Sequence, residues 1–446
     1  MIYRVLFLFI LIGGVVLSKA GEPLASVQFE GIADMPDRTA ELQKQIGDND
    51  GTLVIAPGVY RITETLVFDL EQVRSTIVRP ESGPVTLIMD GPGPAIRIAG
   101  SHEGTASPKS FQPATWNERM PIVEGIEIVG NHPEADGIEL YQCVAPTISK
   151  VGVRWCRHGI HLVERNRNVV VSDVHLYENS GVGLFLDDVN LHQINVSNSH
   201  ISYNRQGGIV VIDGNVRNLQ ITGCDIEGNM PADDTQTEAA NILLHVAGSP
   251  DDKSKSIAEV AITGCTIQHS SNYGGKDFDS IAPGGANIRI YGKEMWPIDS
   301  VTISGNVVSD TSLLVDIKDA TDITVTGNTF FAPNPDFLHA TKSKRLVVHG
   351  NTFNPRQFER PGRLIFDACQ DCIVSDNTFR ALAAEGGAVT LRDCQRMNLS
   401  SNILTESASG VVLENSQEVM VDNWIVSGLP EGVEFLVKDE GSSVLD

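Results

Sequence analysis

Short runs of alternating apolar and polar residues recur along almost the whole chain, and a glycine or another small residue closes each one. Val-Thr-Ile-Ser-Gly-Asn306, Ile-Thr-Val-Thr-Gly-Asn328 and Leu-Val-Val-His-Gly-Asn351 are three of them. Alternation with period two marks a strand with one buried face. The closing asparagines Asn306, Asn328, Asn351, Asn377, Asn402 and Asn423 follow one another at 22, 23, 26, 25 and 21 residues. A fixed period in the twenties predicts a stacked solenoid of strands. Inward asparagines at one turn then stack, each side-chain amide bonding the next.

Each repeat also predicts a second strand with the pattern small–Gly–apolar–x–apolar. Examples are Gly137-Ile-Glu-Leu140, Gly159-Ile-His-Leu162, Gly183-Leu-Phe-Leu186, Gly208-Ile-Val-Val211, Asn241-Ile-Leu-Leu244 and Asn287-Ile-Arg-Ile290. The count comes to about twelve coils. Residues 37–46 predict a short cap helix, and 21–65 an N-terminal cap with the first strands. The solenoid then occupies 66–446. Two repeats are long, 41 residues from Cys224 to Cys265 and again from Cys265 to Asn306. The surplus, with a polar insertion before it, predicts long loops at 100–120, 229–240, 247–257, 269–285 and 292–298. In a solenoid, insertions become loops at the turns and wall the binding face.

Composition narrows the function classes. The formal charge of −24 disfavours nucleic acid and anionic lipid as partners. Residues 1–20 read as a secretory signal: Arg4, an apolar core from Val5 to Leu17, then Ser18-Lys-Ala20. The expected location is secreted, periplasmic or at the cell surface, without a membrane span after signal removal. The cysteines follow the repeat. Ile221-Thr-Gly-Cys224 and Ile262-Thr-Gly-Cys265 match Ile303-Ser-Gly-Asn306, so cysteine takes the ladder position there. Cys369-Gln-Asp-Cys372 lacks the second pair of a zinc site.

Side chains beside the inward residues of the second strands form outward columns. One column runs Glu139, His161, Phe185, Val210, Leu243, Arg289, and the next Tyr141, Val163, Asp187, Ile212, His245, Tyr291. Asp188 follows at a turn, and Asp136 and His158 sit at the other edge. Aromatic, imidazole, carboxylate and guanidinium groups on one strip suit sugar, with apolar faces for rings and polar groups for hydroxyls. The candidate catalytic residues are Asp187, Asp188, Glu139 and Asp136. The candidate substrate-binding residues are His161, His245, Arg289, Tyr291 and Tyr141. His175, His192, His200, His339 and His349 have no metal spacing, so no metal centre is expected. Calcium at Asp277, Asp279, Asp187 or Asp188 is left as an option, without an Asp-x-Asp-x-Asp loop to support it.

The turns Gly327-Asn-Thr-Phe330, Gly350-Asn-Thr-Phe353 and Asp376-Asn-Thr-Phe379, with the opening Gly51-Thr-Leu-Val-Ile-Ala-Pro-Gly-Val-Tyr60, resemble the pectin-lyase-like superfamily. The resemblance implies an all-β fold, a single-stranded right-handed parallel β-helix. Its members include polysaccharide lyases, glycoside hydrolases, uronan epimerases, esterases and noncatalytic surface proteins. In part the order of Asp136, Asp187-Asp188, His245 and Arg289-Ile-Tyr291 is similar to the polygalacturonase family. There is no Asn-Thr before Asp136, no glycine beside His245, and Tyr291 replaces the family's lysine. The acid-bearing strip at 136–188 between long loops makes an exported glycoside hydrolase on a polysaccharide the leading expectation. A lyase acting on a uronate polymer, with Arg289, Lys276 and Lys293 in support, and a noncatalytic carbohydrate-binding rod are the alternatives. A monomer and a homotrimer both fit.

Overall fold

The computed structural model describes residue 29 and residues 31–445, except 74–75, 106, 232–235, 250–254, 271–281, 357–361 and 383–386. The expected signal at 1–20, and Lys276, Asp277 and Asp279, lie outside the described residues.

The chain is an all-β right-handed parallel β-helix. Its strands pair in parallel from coil to coil, and the fourteen-stranded sheet counts fourteen coils. At ~4.8 Å per coil this is a rod of about 62 Å. The expected count of about twelve fell short because the first coils, through Gly58–Ile62 and Val85–Met89, space their turns irregularly. Each coil carries three strands, where the sequence reading gave two. One coil, for example, runs Asn215–Thr222, Asp225–Glu227 and Ala240–His245. The middle strand of three residues is too short for its alternation to register.

Two strands run on from one coil into the next. Ile160–Ser172 and Val182–Ser197 each turn a corner without leaving the sheet. The turning residues, Glu164 and Asp188, take the left-handed conformation. An α-helix, Thr39–Asp48, caps the N-terminal end and buries Leu42 and Ile46 on the first coil. Asp37 Oδ1 accepts its first N–H at Thr39, 2.9 Å away. A second short helix, Pro113–Glu118, lies in the 100–120 insertion and has no periodic signal in the sequence.

The lumen is one continuous apolar core. Asn306 passes its amide and backbone N–H to Asn328 Oδ1 at 3.0 and 2.9 Å, and Asn328, Asn351 and Asn377 repeat the relay as far as Asn402. Asn423 is not a rung. It occupies the left-handed turn position that Ser401 fills one coil earlier. Trp424 takes the inward place, and its indole N–H donates to Leu399 O at 2.9 Å. Phe330, Phe353, Phe379 and Trp424 stack beneath the ladder with ring centroids 5.0, 5.1 and 5.8 Å apart.

A second ladder escaped the sequence reading. Asn179, Asn204, Asn229, Asn241 and Asn287 relay amide to amide at another corner. Its steps vary from 12 to 46 residues because the long loops fall inside it. All seven cysteines are buried and free, and Cys224 and Cys265 sit in the ladder column.

Candidate functional site

The third strands of successive coils align in register. Glu139, His161, Phe185, Val210, Leu243 and Arg289 face one another along one column, and Asp316 and His339 extend it. Tyr141, Val163, Asp187, Ile212, His245 and Tyr291 form the next, followed by Lys318. The strip is divided. In its middle, Val182, Val210, Ala240, Leu243 and Ala286 make an apolar cluster outside the lumen, with Val210 1 % and Leu243 8 % exposed.

On the N-terminal side of this divide, His161 stacks on Phe185 at 5.1 Å, and its Nε2 lies 3.2 Å from Asp187 Oδ2. That hydrogen bond holds the Asp187 carboxyl below the usual range. His158 packs on the same ring at 5.2 Å, and its Nδ1 accepts the Val182 N–H at 3.1 Å. Burial pushes the His158 imidazole down to about 4. Arg97 pairs with Glu139 at 3.1 Å and lies over the Tyr141 ring.

Three of the four candidate acids are already engaged. Asp136 is buried, with Arg157 forked across both its oxygens at 2.9 and 2.5 Å. Asp188 turns away from Asp187 at the left-handed corner, where Lys255 and the Gly214 N–H bind it at 2.8 and 3.0 Å. Glu139 is the acid paired with Arg97. Adjacency in sequence made Asp187 and Asp188 look like a pair, but neighbours in a strand point opposite ways.

Beyond the divide, Arg205, Glu238, Leu243, His245, Arg289 and Tyr291 line a pocket of about 260 Å³. The loop before Ala240 supplies Glu238. His245 meets the Tyr291 ring edge-on at 5.9 Å. Burial lowers its basicity, so the imidazole is neutral near pH 7. Arg289 is 2 % exposed. Its Nε donates to Asp316 at 2.9 Å and one terminal nitrogen to Gly284 O at 2.5 Å. The other terminal nitrogen, Nη1, has no hydrogen-bond partner among the described residues. The Tyr291 hydroxyl donates to the same Asp316 oxygen at 2.6 Å, and burial pushes the phenol up. Asp187 does not line this pocket; Ile212 stands between it and His245.

The structure therefore gathers His245, Arg289 and Tyr291, and holds Glu139, Tyr141, His161 and Asp187 apart from them. Arg205, Glu238 and Asp316 went unnoticed in the sequence. Asp316 was reachable by extending the Arg289 column one coil. Arg205 and Glu238 carried no signal, since loop geometry alone brings them in. Among the described residues no three His, Cys, Asp or Glu side chains are placed to hold a metal ion.

A family model described as the right handed beta helix region matches residues 115–248 and 252–426. No curated protein matches the chain. Among solved structures, the chain is similar to the A-module of the mannuronan C-5 epimerase AlgE4 of Azotobacter vinelandii. Identity is 14 %, coverage 93 % of this chain and 99 % of that one, and the TM-score 0.42. The tailspike protein of E. coli bacteriophage HK620, solved with a hexasaccharide, is 13 % identical over 88 % of this chain and 74 % of that one, with a TM-score of 0.49. PfbA, a surface adhesin of Streptococcus pneumoniae, is 13 % identical over 91 % and 92 %, with a TM-score of 0.40.

Proposed function

We propose, on the premise that this chain belongs to the right-handed β-helix family, that it is an exported enzyme cleaving an acidic polysaccharide by elimination. The observation that carries this reading is a neutral His245 in one pocket with the Arg205 guanidinium, above the buried Arg289–Asp316 pair. Arg205, from the exposed side, neutralises a sugar carboxylate, which acidifies the carbon next to it, while Arg289 beneath is already matched by Asp316. His245 takes that carbon's proton as general base. The electron pair forms the new carbon–carbon double bond, and the bond to the glycosidic oxygen breaks. The same imidazolium returns its proton to the leaving oxygen. Tyr291, whose O–H is held by Asp316, orients the sugar through its ring and phenol oxygen.

Hydrolysis, the leading expectation from the sequence, has weaker support. It needs a carboxylic acid with a raised pKa and a second carboxylate across the bond. Asp187 is shifted the other way. Glu139 and Asp187 lie two coils apart, about 10 Å, at the outer edge of the inverting range. Calcium is a proposal without a described ligand set. Export rests on the leader at 1–20, and no helix among the described residues is long and apolar enough to cross a membrane.

The test is incubation with polygalacturonate, alginate and hyaluronan, read by reducing ends and ultraviolet absorbance together. Reducing ends that absorb as unsaturated sugars are expected, with His245→Gln and Arg205→Ala each slowing turnover at least 100-fold. Reducing ends without that absorbance mean hydrolysis, and binding without turnover means a noncatalytic protein. Either result overturns the elimination.

A further inference from the structure

Beyond Tyr291 the ledge formed by the turns after the third strands gathers basic side chains among its acids, on a chain whose formal charge is −24. Asp319, Lys342 and Ala368 occupy its left-handed corner in three successive coils. Glu294, Asp319, Lys342, Lys344, Arg345 and Gln370 line a cavity of about 550 Å³ there. A neighbouring cavity of about 570 Å³, around Lys293, Glu294, Met295 and Asp319, joins this one to the strand of Tyr291. Lys318 bridges the two regions, its ammonium 5.9 Å from the Tyr291 ring centre.

Most nearby cations are neutralised. Arg345 forks onto Asp322 at 2.6 and 2.9 Å, Arg396 pairs with Asp371, and Arg392 with Glu414. Lys342 and Lys344 are exposed, and their ammonium groups make no hydrogen bond or ion pair among the described residues. Two lysines without an ion pair among the described residues in one cavity, in line with a pocket that holds the Arg205 guanidinium, offer a track for a polyanion.

We infer that this ledge seats the acidic sugar units flanking the one at His245, over the four coils from Tyr291 to Gln370. The inference rests on the acidic-polysaccharide reading of the pocket and extends it to a chain of several units. Successive coils stand ~4.8 Å apart, close to the length of one hexose unit, so unit and coil advance together. Lys318, Lys342 and Lys344 meet carboxylates, and Glu294 and Asp319 accept sugar hydroxyls between them. The site therefore favours long chains over short ones, and its contribution falls with salt.

The test compares wild type, Lys342→Glu/Lys344→Glu and His245→Gln, each as the full chain, in binding oligogalacturonates and alginate oligomers of graded length. Matching melting temperatures show that the variants fold. Wild-type affinity is expected to rise with length. The double lysine variant should lose roughly tenfold in affinity for the longest oligomers and nothing for the shortest. Unchanged long-chain affinity in that variant overturns the ledge, as does wild-type affinity that does not rise with length. If the lysine variant shows the loss while no substrate is turned over and His245→Gln binds and behaves as wild type, the ledge stands and the catalytic reading of the pocket falls.

Discussion

At the scale of the residue, two buried ionisable groups make sharp predictions. His158 titrates near 6.5 in the unfolded chain and about 4 in the folded one. Its stabilising neutral form is fully present above pH 6.5 and is lost as the pH falls toward 4. The loss is on the order of 3 kcal/mol. Protonation also removes the acceptor that Nδ1 offers the Val182 N–H. Thermal melts from pH 7 down to pH 4 should fall steeply for the wild type, and His158→Phe should flatten that slope. The Arg289–Asp316 pair is 3 % and 9 % exposed. Asp316→Ala strands a buried guanidinium and is expected to cost about 3–5 kcal/mol, read by urea unfolding. Replacing both, Arg289→Met with Asp316→Leu, should cost less than the single change. His245 predicts an activity limb that drops at acid pH, below the ordinary imidazole range, because burial keeps it neutral.

At the scale of the element, the ladder is where local sequence and global fold agree. Asn351→Ala orphans the Asn328 N–H and the Val325 carbonyl, both inside the coil. Each buried unsatisfied group costs ~1–3 kcal/mol, so about 3 kcal/mol is expected in chemical unfolding. Phe353→Ala, between Phe330 and Phe379, should cost about 3–5 kcal/mol. This ladder was legible because its turns are all one length and each ends in Gly-Asn, Asp-Asn or Ser-Asn. Asn423 misled because it sits 21 residues after Asn402, one short of the inward position that Trp424 fills. The second ladder was hidden because loops of different lengths break its period, although its residue type is the same. The columns of the third strand were legible from alternation alone, which fixes inside and outside. The pocket was only half legible. His245, Arg289 and Tyr291 share a strand face and so fall out of the pattern. Arg205 and Glu238 arrive by loop geometry, which no short-range pattern encodes. The carboxylate pairs were misjudged because sequence shows which acids are near one another, and not which cation has already claimed each.

At the scale of the whole molecule, the stack makes distance along the sequence into distance along a rod. Small-angle scattering should give an elongated particle with a length near 60–70 Å for a rod of about 62 Å plus its loops. A homotrimer packed side by side would triple the mass at that same length, so light scattering and small-angle scattering together separate it from a monomer. The strip on this rod is not one open groove, as alternation suggested. The apolar cluster around Val210 and Leu243 cuts it, and chemistry on the two sides of the cut is separable. Phe185→Ala should disturb the His161–Asp187 region and leave turnover at His245 unchanged. Chelator should also leave turnover unchanged, since no described carboxylate group in the pocket is built around a cation. Loss of activity that added calcium restores would contradict this.

Trp424 replaces asparagine at the last rung and links the aromatic stack to Phe435, whose ring centre lies 5.2 Å away. With Trp116, Trp155 and Trp296 replaced by phenylalanine, Trp424 becomes a single fluorophore near the C-terminal end of the stack. Its emission should redden before circular dichroism changes, and that lead in temperature measures how far the final coil peels away independently of the rest.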